Sequence, residues 1–331
     1  MKYKKYAVLG SNSFAGSTFI AGALARNCNV IGFSRSEENN HIFLPYVLMK
    51  KSGVFEFVKA DLNTDVELIF KYLNDLKPEV IVDFAGQGMV AESWLNPDQW
   101  YTTNIVSKVK LHELLRESSW LKRYIRISTP EVYGSHIDLI DENCPYNPST
   151  PYAVSHACID MSLSVFHRQY NFPVIFTRFA NFYGPGQQLY RIIPRTILYG
   201  LLGKKLQLHG GGISKRAFIY GTDVANAIFQ AAELGVTGEV YHFSSNEFLS
   251  IKSVVELICR EINVDAETFV QNATERPGKD QAYLMRSDKA RSQLKWSELV
   301  GFEEGIKLTL NWIRSSIQEI KNMPMDYIHK K

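Results

Sequence analysis

Residues 6–27, with the sequence YAVLGSNSFAGSTFIAGALARN, join a short apolar strand to a helix through a turn of small residues. Apolar residues recur at helical spacing after the turn. Gly10, Ser13 and Gly16 occupy the three positions of a glycine-rich turn in which the backbone approaches a pyrophosphate at the amino terminus of a helix. Ser13 stands where the middle glycine is usual. Taken alone the pattern is a weak signal, and a purely structural turn explains it about as often.

The position of this turn, at the start of a long alternation of strands and helices, strengthens it. Further strands are predicted at CNVIGF, FEFVK, PEVIVDF, RYIRIST and PVIFTRF, with helical patterns between them. Such alternation predicts an α/β fold, a Rossmann-type doubly wound parallel sheet with a smaller α/β substrate-binding lobe. We expect a dinucleotide-binding domain of residues 1–181 plus 216–245, and a substrate domain of residues 182–215 plus 246–331.

The end of the second predicted strand, at Ser34 and Arg35, indicates which dinucleotide binds. An acidic residue there would bind a ribose 2′-hydroxyl, whereas arginine accommodates a 2′-phosphate. Arg35 therefore predicts NADP. NAD stays possible because Glu37 and Glu38 follow, and an exposed arginine beside glutamate is often only a solvated pair.

The ends of the third and fourth predicted strands supply further cofactor candidates. Asp61 and Leu62 are placed to contact the adenine edge, although a helix cap explains an acidic residue there equally well. The fourth strand ends in small residues, including Gly86, which allow backbone to pass close to a flat ring.

The chemistry is expected in residues 127–160, which contain ISTPEVYGS and YAVSHACID. Thr129 and Glu131 follow a buried strand, and ligands of open α/β sheets bind beyond the carboxyl ends of strands. Tyr152 and His156 are four residues apart, which places both on one face of a helix. From spacing alone a structural role is favoured by about two to one, with His156 on a solvated face.

Composition excludes several classes of function. The 331 residues include 37 basic and 34 acidic side chains, without the basic block typical of nucleic-acid binding. The four cysteines are scattered, which predicts neither a metal site nor a disulfide scaffold. No apolar run is long enough for a signal core or a bilayer span, so we expect a cytoplasmic protein with no membrane partner.

Six motifs together resemble the extended short-chain dehydrogenase/reductase family, and within it the nucleotide-sugar 4,6-dehydratases. They are GSNSFAG, STPEVYG, PSTPYAVSHACID, RFANFYGPGQ, RAFIYGTDVANA and RPGKDQAY. GQGMVAES with SRS is also similar to the GDP-mannose branch of these dehydratases, whose cofactor is NADP. The resemblance implies a nucleoside-diphosphate sugar as substrate and a homodimer.

The resemblance also implies roles for single residues. Thr129 would bind the sugar, Tyr152 would be the base for the C4 hydroxyl with His156 beside it, and Glu131 would be the base for the C5 hydrogen. The cofactor set would further include Phe14 and Asn104. The positions matching substrate-binding residues are Gln87, Thr129, Asn181, Arg191, Arg216 and Arg276.

Two departures from the family pattern bear on the mechanism. The usual Tyr-x-x-x-Lys is Tyr-x-x-x-His, so we expect Tyr152 to lose a fixed positive neighbour and the pH optimum of turnover to move to alkaline pH. The alternative is that a nearby residue or the charge of the nicotinamide replaces the lysine, and that His156 only binds ribose hydroxyls. The usual Thr-Asp-Glu is Thr129-Pro130-Glu131, and proline cannot protonate a leaving hydroxyl. Glu131 would then serve both as base and as acid.

Alternatives of the same fold stay open: a C4 dehydrogenase, an epimerase, a decarboxylase, or a nucleotide-binding homologue without turnover. Glu131 beside Thr129 argues against simple 4-epimerisation, which needs no base at C5. The nucleotide base and the sugar are not indicated by the sequence.

Overall fold

The computed structural model describes residues 2–49, 52–274 and 282–330. The strands, in chain order, are β1 (Lys5–Leu9), β2 (Asn29–Ser34), β3 (Phe55–Lys59), β4 (Val80–Asp83), β5 (Arg123–Ser128), β6 (His136–Ile140), β7 (Val174–Phe179), β8 (Asn181–Tyr183), β9 (Leu206–His209), β10 (Lys215–Arg216), β11 (Phe218–Tyr220), β12 (Val240–Phe243), β13 (Leu249–Ser250), β14 (Val270–Ala273) and β15 (Tyr283–Met285).

Seven of these strands form one parallel sheet in the order β12-β7-β5-β4-β1-β2-β3. Strand β2 pairs with β1, and β3 pairs with β2 on the outer side. The chain then crosses to β4, which pairs with the other side of β1, where Leu9 is in register with Asp83. A crevice forms where the strand order reverses, at the carboxyl ends of β1 and β4. The predicted doubly wound sheet is therefore confirmed.

The helices connect and cover the sheet. Short 3₁₀ turns occur at His41–Phe43, Pro130–Tyr133 and Gly210–Gly212. The α-helices are α1 (Phe14–Ala25), α2 (Pro45–Leu48), α3 (Val66–Leu76), α4 (Val90–Ser93), α5 (Pro97–Tyr101), α6 (Ser107–Leu115), α7 (Pro151–Tyr170), α8 (Ile192–Leu201), α9 (Gly221–Leu234), α10 (Ile251–Ile262), α11 (Ala266–Phe269), α12 (Asp288–Leu294), α13 (Phe302–Ser315) and α14 (Ile317–Ile320).

Helix α7 is fixed at both ends by local sequence. The Thr150 hydroxyl accepts the Ala153 N–H at 3.1 Å, and Pro151 occupies the first helical position, where its missing N–H is not needed. Asn171 ends the helix in the left-handed conformation, with φ of 54°. Tyr152 consequently lies in the first turn, close to the sheet edge where β5 ends.

The segment between α5 and α6 is a π-helix, Thr102–Val106, inside a continuous helical run. The Ser107 N–H donates to the Thr102 carbonyl, the i→i+5 bond that defines such a turn. The sequence predicts one regular amphipathic helix here, because apolar periodicity does not distinguish a single wide turn.

Apolar side chains pack on both faces of the sheet. In β1, Tyr6 and Val8 enter one core, and Ala7 and Leu9 enter the other. A parallel sheet covered by helices on both faces requires this continuous burial. A third core joins α8, α10 and α13, away from the sheet.

The domain division stays a prediction, and the structure adds one detail to it. Helix α12 and the residues after it come from the segment assigned to the substrate lobe. Ala290, Leu294 and Trp296 nevertheless lie in the core that contains Tyr6. The Trp296 indole N–H donates to the Asp223 carbonyl at 3.2 Å, which ties this segment to α9.

No helix in residues 2–49, 52–274 and 282–330 has the length and apolar character needed to cross a bilayer.

Candidate functional site

A cavity of about 260 Å³ opens at the carboxyl ends of β1 to β4. The residues predicted to bind the cofactor that line it are Gly10, Ser13, Ser34, Arg35, Asp61, Leu62 and Gly86. The lining residues that the sequence did not single out are Leu9, Asn12, Phe33, Ser36, Asn39, Ala60, Ile69, Phe84, Ala85, Thr103 and Lys330.

The glycine-rich turn has the geometry that a pyrophosphate requires. Gly10 has φ of +80°, and a Cβ there would lie 2.8 Å from the Ala85 nitrogen. A Cβ on Gly16 would lie 2.5 Å from the Gly10 oxygen. Both positions therefore need glycine, and the amino terminus of the 12-residue α1 is left open to an anion.

Ser13 is the N-cap of α1, which explains its place in the turn. Its hydroxyl donates to the Gly10 carbonyl at 2.8 Å and accepts the Gly16 N–H at 3.0 Å. Serine is among the preferred N-cap residues, so it stabilises the helix start as well as being small. The turn fits the diphosphate of a nicotinamide dinucleotide.

The two glutamates that follow Arg35 are engaged outside the cavity lining. Glu37 forms an ion pair with Lys59 at 2.8 Å, and Glu38 accepts the Tyr46 hydroxyl at 2.6 Å. Among the described lining residues, Asp61 is the only acidic one. The edge of the cavity at the end of β2 is therefore positively charged.

Asp61 does not cap a helix, which was the alternative to a ligand contact. Its carboxylate accepts the Asn63 N–H at 2.9 Å, while the N-cap residue of α3 is Asp65. Asp61 and Leu62 both face the cavity, where the sequence placed them.

Asn104, in the π segment, holds the loop after β4. Its side chain accepts the Gln87 N–H at 2.8 Å and donates to the Gln87 carbonyl at 3.1 Å and to the Ser155 hydroxyl at 2.9 Å. A Cβ on Gly86 would lie 2.8 Å from the Asn104 side-chain oxygen. Asn104 thus links this loop to α7 and positions backbone rather than lining the cavity itself.

The C-terminal segment crosses the same cleft. The Gln87 side-chain amide, predicted to bind substrate, donates to the Lys330 carbonyl at 2.9 Å, and the Lys330 ammonium donates to the Ser36 hydroxyl at 3.1 Å. His329 stacks on Trp100 with ring centroids 5.5 Å apart. No periodic pattern follows the last predicted helix, so the sequence did not predict these contacts.

Thr129, Pro130 and Glu131 form the start of a 3₁₀ turn directly after β5. The Thr129 hydroxyl oxygen accepts the Glu131 N–H at 3.3 Å, and Pro130 stands at the first position of the turn. The threonine oxygen is the acceptor in this bond, so the hydroxyl can also donate its proton, as contact with a substrate oxygen would require. Pro130 fits the turn without leaving a backbone donor unpaired, and Glu131 is half-buried.

Tyr152 and His156 lie side by side on α7, with ring centroids 4.6 Å apart. His156 is 9% exposed, which excludes the solvated face considered from the sequence. Its Nδ1 lies 2.9 Å from Nη2 of Arg126 on β5. Burial, and then the positive charge of Arg126, lowers the pKa of His156 well below its usual value, so the imidazole is neutral.

Other predicted positions lie around this centre. Phe14 is buried and does not line the cavity; its ring lies 2.9 Å from where a Cβ of Gly221 would be. Asn181 begins β8, and its N–H donates to the Ala217 carbonyl at 3.1 Å, next to the buried Arg216. Arg191 is exposed, with its guanidinium 5.3 Å from the Tyr190 ring centroid. Arg276 falls outside the described residues.

The sequence that forms this site matches a known protein family. Residues 8–309 match the family described as GDP-mannose 4,6 dehydratase. The chain belongs to this family. The match confirms the expected membership of the extended short-chain dehydrogenase/reductases.

Similar proteins point to the same chemistry. The mouse (Mus musculus) dTDP-D-glucose 4,6-dehydratase is 32% identical over 81% of this chain and 76% of its own length. The dTDP-glucose 4,6-dehydratase of Xanthomonas campestris pv. campestris (strain B100) is 29% identical over 93% and 92%. The structure of DesIV, a dTDP-glucose 4,6-dehydratase from Streptomyces venezuelae with NAD and TYD bound, is 28% identical, with a TM-score of 0.85 over 95% and 98%.

The chain is a nucleotide-sugar 4,6-dehydratase, a lyase that works with a nicotinamide cofactor. The enzyme class and fold predicted from the sequence are thereby confirmed. Its substrate is a nucleoside-diphosphate sugar.

Proposed function

We propose that this dehydratase converts an NDP-hexose to the NDP-4-keto-6-deoxyhexose with Tyr152 and Glu131 as its catalytic residues and Thr129 as a sugar ligand. The observation that carries the proposal is the turn at Thr129–Pro130–Glu131, which begins directly after β5 and packs beside the first turns of α7. The hydroxyl and the carboxyl group after β5 and the phenol in the first turn of α7 thus lie on neighbouring elements at the carboxyl end of the sheet.

Tyr152 takes the proton of the C4 hydroxyl. A nicotinamide cofactor held by the glycine-rich turn and Arg35 would supply the redox chemistry, which is hydride acceptance at C4 and hydride return at C6. The Thr129 hydroxyl, whose oxygen already holds the Glu131 N–H, donates to a sugar oxygen and orients the ring. General base assistance of this kind contributes typically about 10²–10⁴-fold to rate.

Glu131 performs two proton transfers in succession. The 4-ketone acidifies the C5 hydrogen, and the carboxylate removes it. The carboxylic acid so formed then protonates the C6 hydroxyl, which leaves as water while the C5–C6 double bond forms. C5 then takes up a proton from solvent when the C5–C6 double bond is reduced, and Tyr152 releases the C4 hydroxyl proton to solvent, so that the overall loss is one water. Both transfers of the elimination itself use one carboxyl group, so Pro130 in place of an acidic residue is compatible with elimination.

The test compares wild type, Glu131→Gln and Pro130→Asp in deuterated water, with the exposed Glu247→Gln as a matched control. We expect solvent deuterium at C5 of the product, near-complete loss of product in Glu131→Gln, and little change in Pro130→Asp and in the control. Mass spectrometry of the product gives the readout. A screen of dTDP-, GDP-, UDP- and CDP-sugars identifies the nucleotide to use.

Two results would contradict the proposal. A 4-keto product that retains its C6 hydroxyl would indicate a C4 dehydrogenase or an epimerase. Binding of a nucleotide sugar without any product would indicate a homologue that has lost turnover.

We infer further that the cofactor is NADP. Arg35, Ser36 and Lys330 line the cavity at the end of β2, and Lys330 Nζ is 3.1 Å from the Ser36 hydroxyl. Two cations and a hydroxyl suit a 2′-phosphate. Glu37 and Glu38, which would repel that phosphate, are held by Lys59 and Tyr46.

We also propose that the enzyme is a homodimer that pairs through α7. Val154, Met161 and Val165 are exposed, and their spacing of seven and four residues places them on one side of this helix. Trp94 and Leu95, at the end of the neighbouring α4, are exposed as well. Several exposed apolar side chains on one side of a helix are typical of an interaction surface, so a second copy of the chain is the expected partner.

A further inference from the structure

Five charged side chains are buried together behind the start of α7. Lys108 of α6 contacts Asp83 of β4 at 2.6 Å, and Arg126 of β5 lies 3.8 Å from the same carboxylate. Asp160 of α7 binds Arg126 at 3.1 Å and Arg178 of β7 at 3.1 Å. None of the five side chains is more than 2% exposed.

The charges in this cluster do not balance. Lys108, Arg126 and Arg178 are three cations, and Asp83 and Asp160 are two carboxylates, so 3 − 2 leaves one positive charge. The other groups that hydrogen-bond these five side chains within the described residues are neutral hydroxyl, amide, carbonyl and imidazole groups. Inside a protein such a charge is screened much less than at a surface, and its field reaches neighbouring groups.

His156 connects this cluster to Tyr152. A guanidinium only donates hydrogen bonds, so the contact of Arg126 Nη2 with Nδ1 fixes Nδ1 as the acceptor. The proton of the neutral imidazole is then on Nε2. The ring that carries it lies beside the Tyr152 ring, with centroids 4.6 Å apart.

We propose that Arg126 is a positioning residue that replaces, from a neighbouring strand, the lysine that a Tyr-x-x-x-Lys enzyme carries on the helix. It holds His156 as an Nε2–H donor toward Tyr152 and the cofactor ribose. The surplus positive charge behind it favours the deprotonated form of Tyr152, against the opposing charge of the Glu131 carboxylate on the neighbouring turn. This inference rests on the proposed role of Tyr152 as the base at C4.

The surroundings of His156 favour Arg126 over the other cations for this role. Arg126 alone contacts the imidazole, whereas Lys108 is held by Asp83 and Arg178 by Asp160. Burial, and then the charge of Arg126, lowers the pKa of Lys108 to about 8, so its charge declines in the alkaline range. A guanidinium keeps its charge throughout the range in which enzymes work.

The first measurement concerns the tautomer of His156 and needs no turnover. Carbon-13 NMR of histidine-labelled protein distinguishes Nε2–H from Nδ1–H imidazole, and a His156→Gln sample assigns the signal. We expect a neutral Nε2–H ring from about pH 6 to about pH 8, across the reference pKa of histidine. A ring that titrates in this range, or an Nδ1–H ring, would overturn the proposal.

The second measurement is the pH dependence of C4 oxidation alone, followed through the absorbance of reduced nicotinamide in a single turnover. In Arg126→Gln we expect the rising limb of the rate–pH profile to move to alkaline pH by about one unit or more. The rate of C4 oxidation at neutral pH would then fall by about tenfold. Arg126→Lys should keep the limb close to its wild-type position. Arg123→Gln, on the same strand but away from His156, is the matched control.

A rescue variant separates electrostatics from structure. Arg126→Gln combined with His156→Lys returns a cation to the helix, and the limb should move back toward wild type. An unshifted limb in Arg126→Gln, or an unrescued limb in the folded double variant, would overturn the proposal. If Arg126→Gln does not fold, Arg126→Lys provides the test. A rising limb of its rate–pH profile that is displaced from the wild-type position would overturn the proposal. Oxidation at C4 without any dehydrated product would instead contradict the proposed role of Glu131. An Nε2–H imidazole in an enzyme that does not oxidise C4 would contradict the proposed function and leave the tautomer inference intact.

Discussion

Asp160→Asn should destabilise the enzyme strongly, since Asp160 is the carboxylate on which the buried cluster converges. Its two oxygens bind Arg126 Nε at 3.1 Å, Arg178 Nη2 at 3.1 Å and the Ser128 hydroxyl at 2.5 Å, with no side-chain exposure. Asparagine keeps the shape but removes the charge and turns an NH₂ group toward one of these donors. Three cations would then face one carboxylate.

The cost follows from the burial of the cluster. Removing one partner from a buried ion pair typically costs about 3–5 kcal/mol, because the remaining charge stays desolvated without compensation. For a chain of this size each kcal/mol lowers Tm by about 2 °C, so the expected fall is about 6–10 °C.

Urea unfolding followed by circular dichroism, with a thermal scan beside it, measures the loss. Asp138→Asn is the matched control, since Asp138 is an exposed residue on β6. An Asp160→Asn protein that unfolds within about 0.5 kcal/mol of wild type, the range of ordinary surface substitutions, would refute the argument that the cluster depends on this carboxylate.

Three further predictions concern the cofactor and the interface. Arg35→Ala should weaken NADP binding by about one to two orders of magnitude, as expected for a lost charged hydrogen bond, and leave NAD binding unchanged. Calorimetry measures both dissociation constants, with the exposed Lys71→Ala as control, and a wild type that binds NAD as tightly as NADP would contradict the assignment. Val165→Glu should convert the dimer to a monomer in sedimentation velocity, while the exposed Leu299→Glu should not. A monomeric wild type would contradict the proposed interface through α7. Gly16→Ala should abolish tight cofactor binding because its Cβ would lie 2.5 Å from the Gly10 oxygen; unchanged affinity by calorimetry would show that the turn does not hold the diphosphate.

The features that were predictable from the sequence are those with a local signal. The strand, turn and helix predicted for residues 6–27 are present as β1 (Lys5–Leu9) and α1 (Phe14–Ala25). The spacing of Gly10 and Gly16 predicted a turn whose φ value and close contacts do require glycine. Local patterns suffice in these cases because the relevant neighbours are also close in sequence.

The buried cluster was not predictable in the same way. Arg126 and Arg178 interrupt apolar strands, and Asp160 lies on the inner face of α7, but their pairing depends on elements far apart in the chain. A usable signal did exist, since a charged residue inside a buried strand must find a partner. The partners became evident only once the strand order was known. The contacts of Lys330 had no such signal.

The π segment at Thr102–Val106 is equivalent to one residue inserted into a regular helix. Each α-helical residue advances the chain by about 100°, so the insertion allows α5 and α6 to keep packing faces that would otherwise be out of phase. Asn104 lies in the extra turn, while Lys108 reaches the buried cluster after it. In an alignment of relatives, a one-residue gap inside 102–106 should therefore leave both helices intact and mark the proteins that lack the Asn104 clamp on the loop after β4.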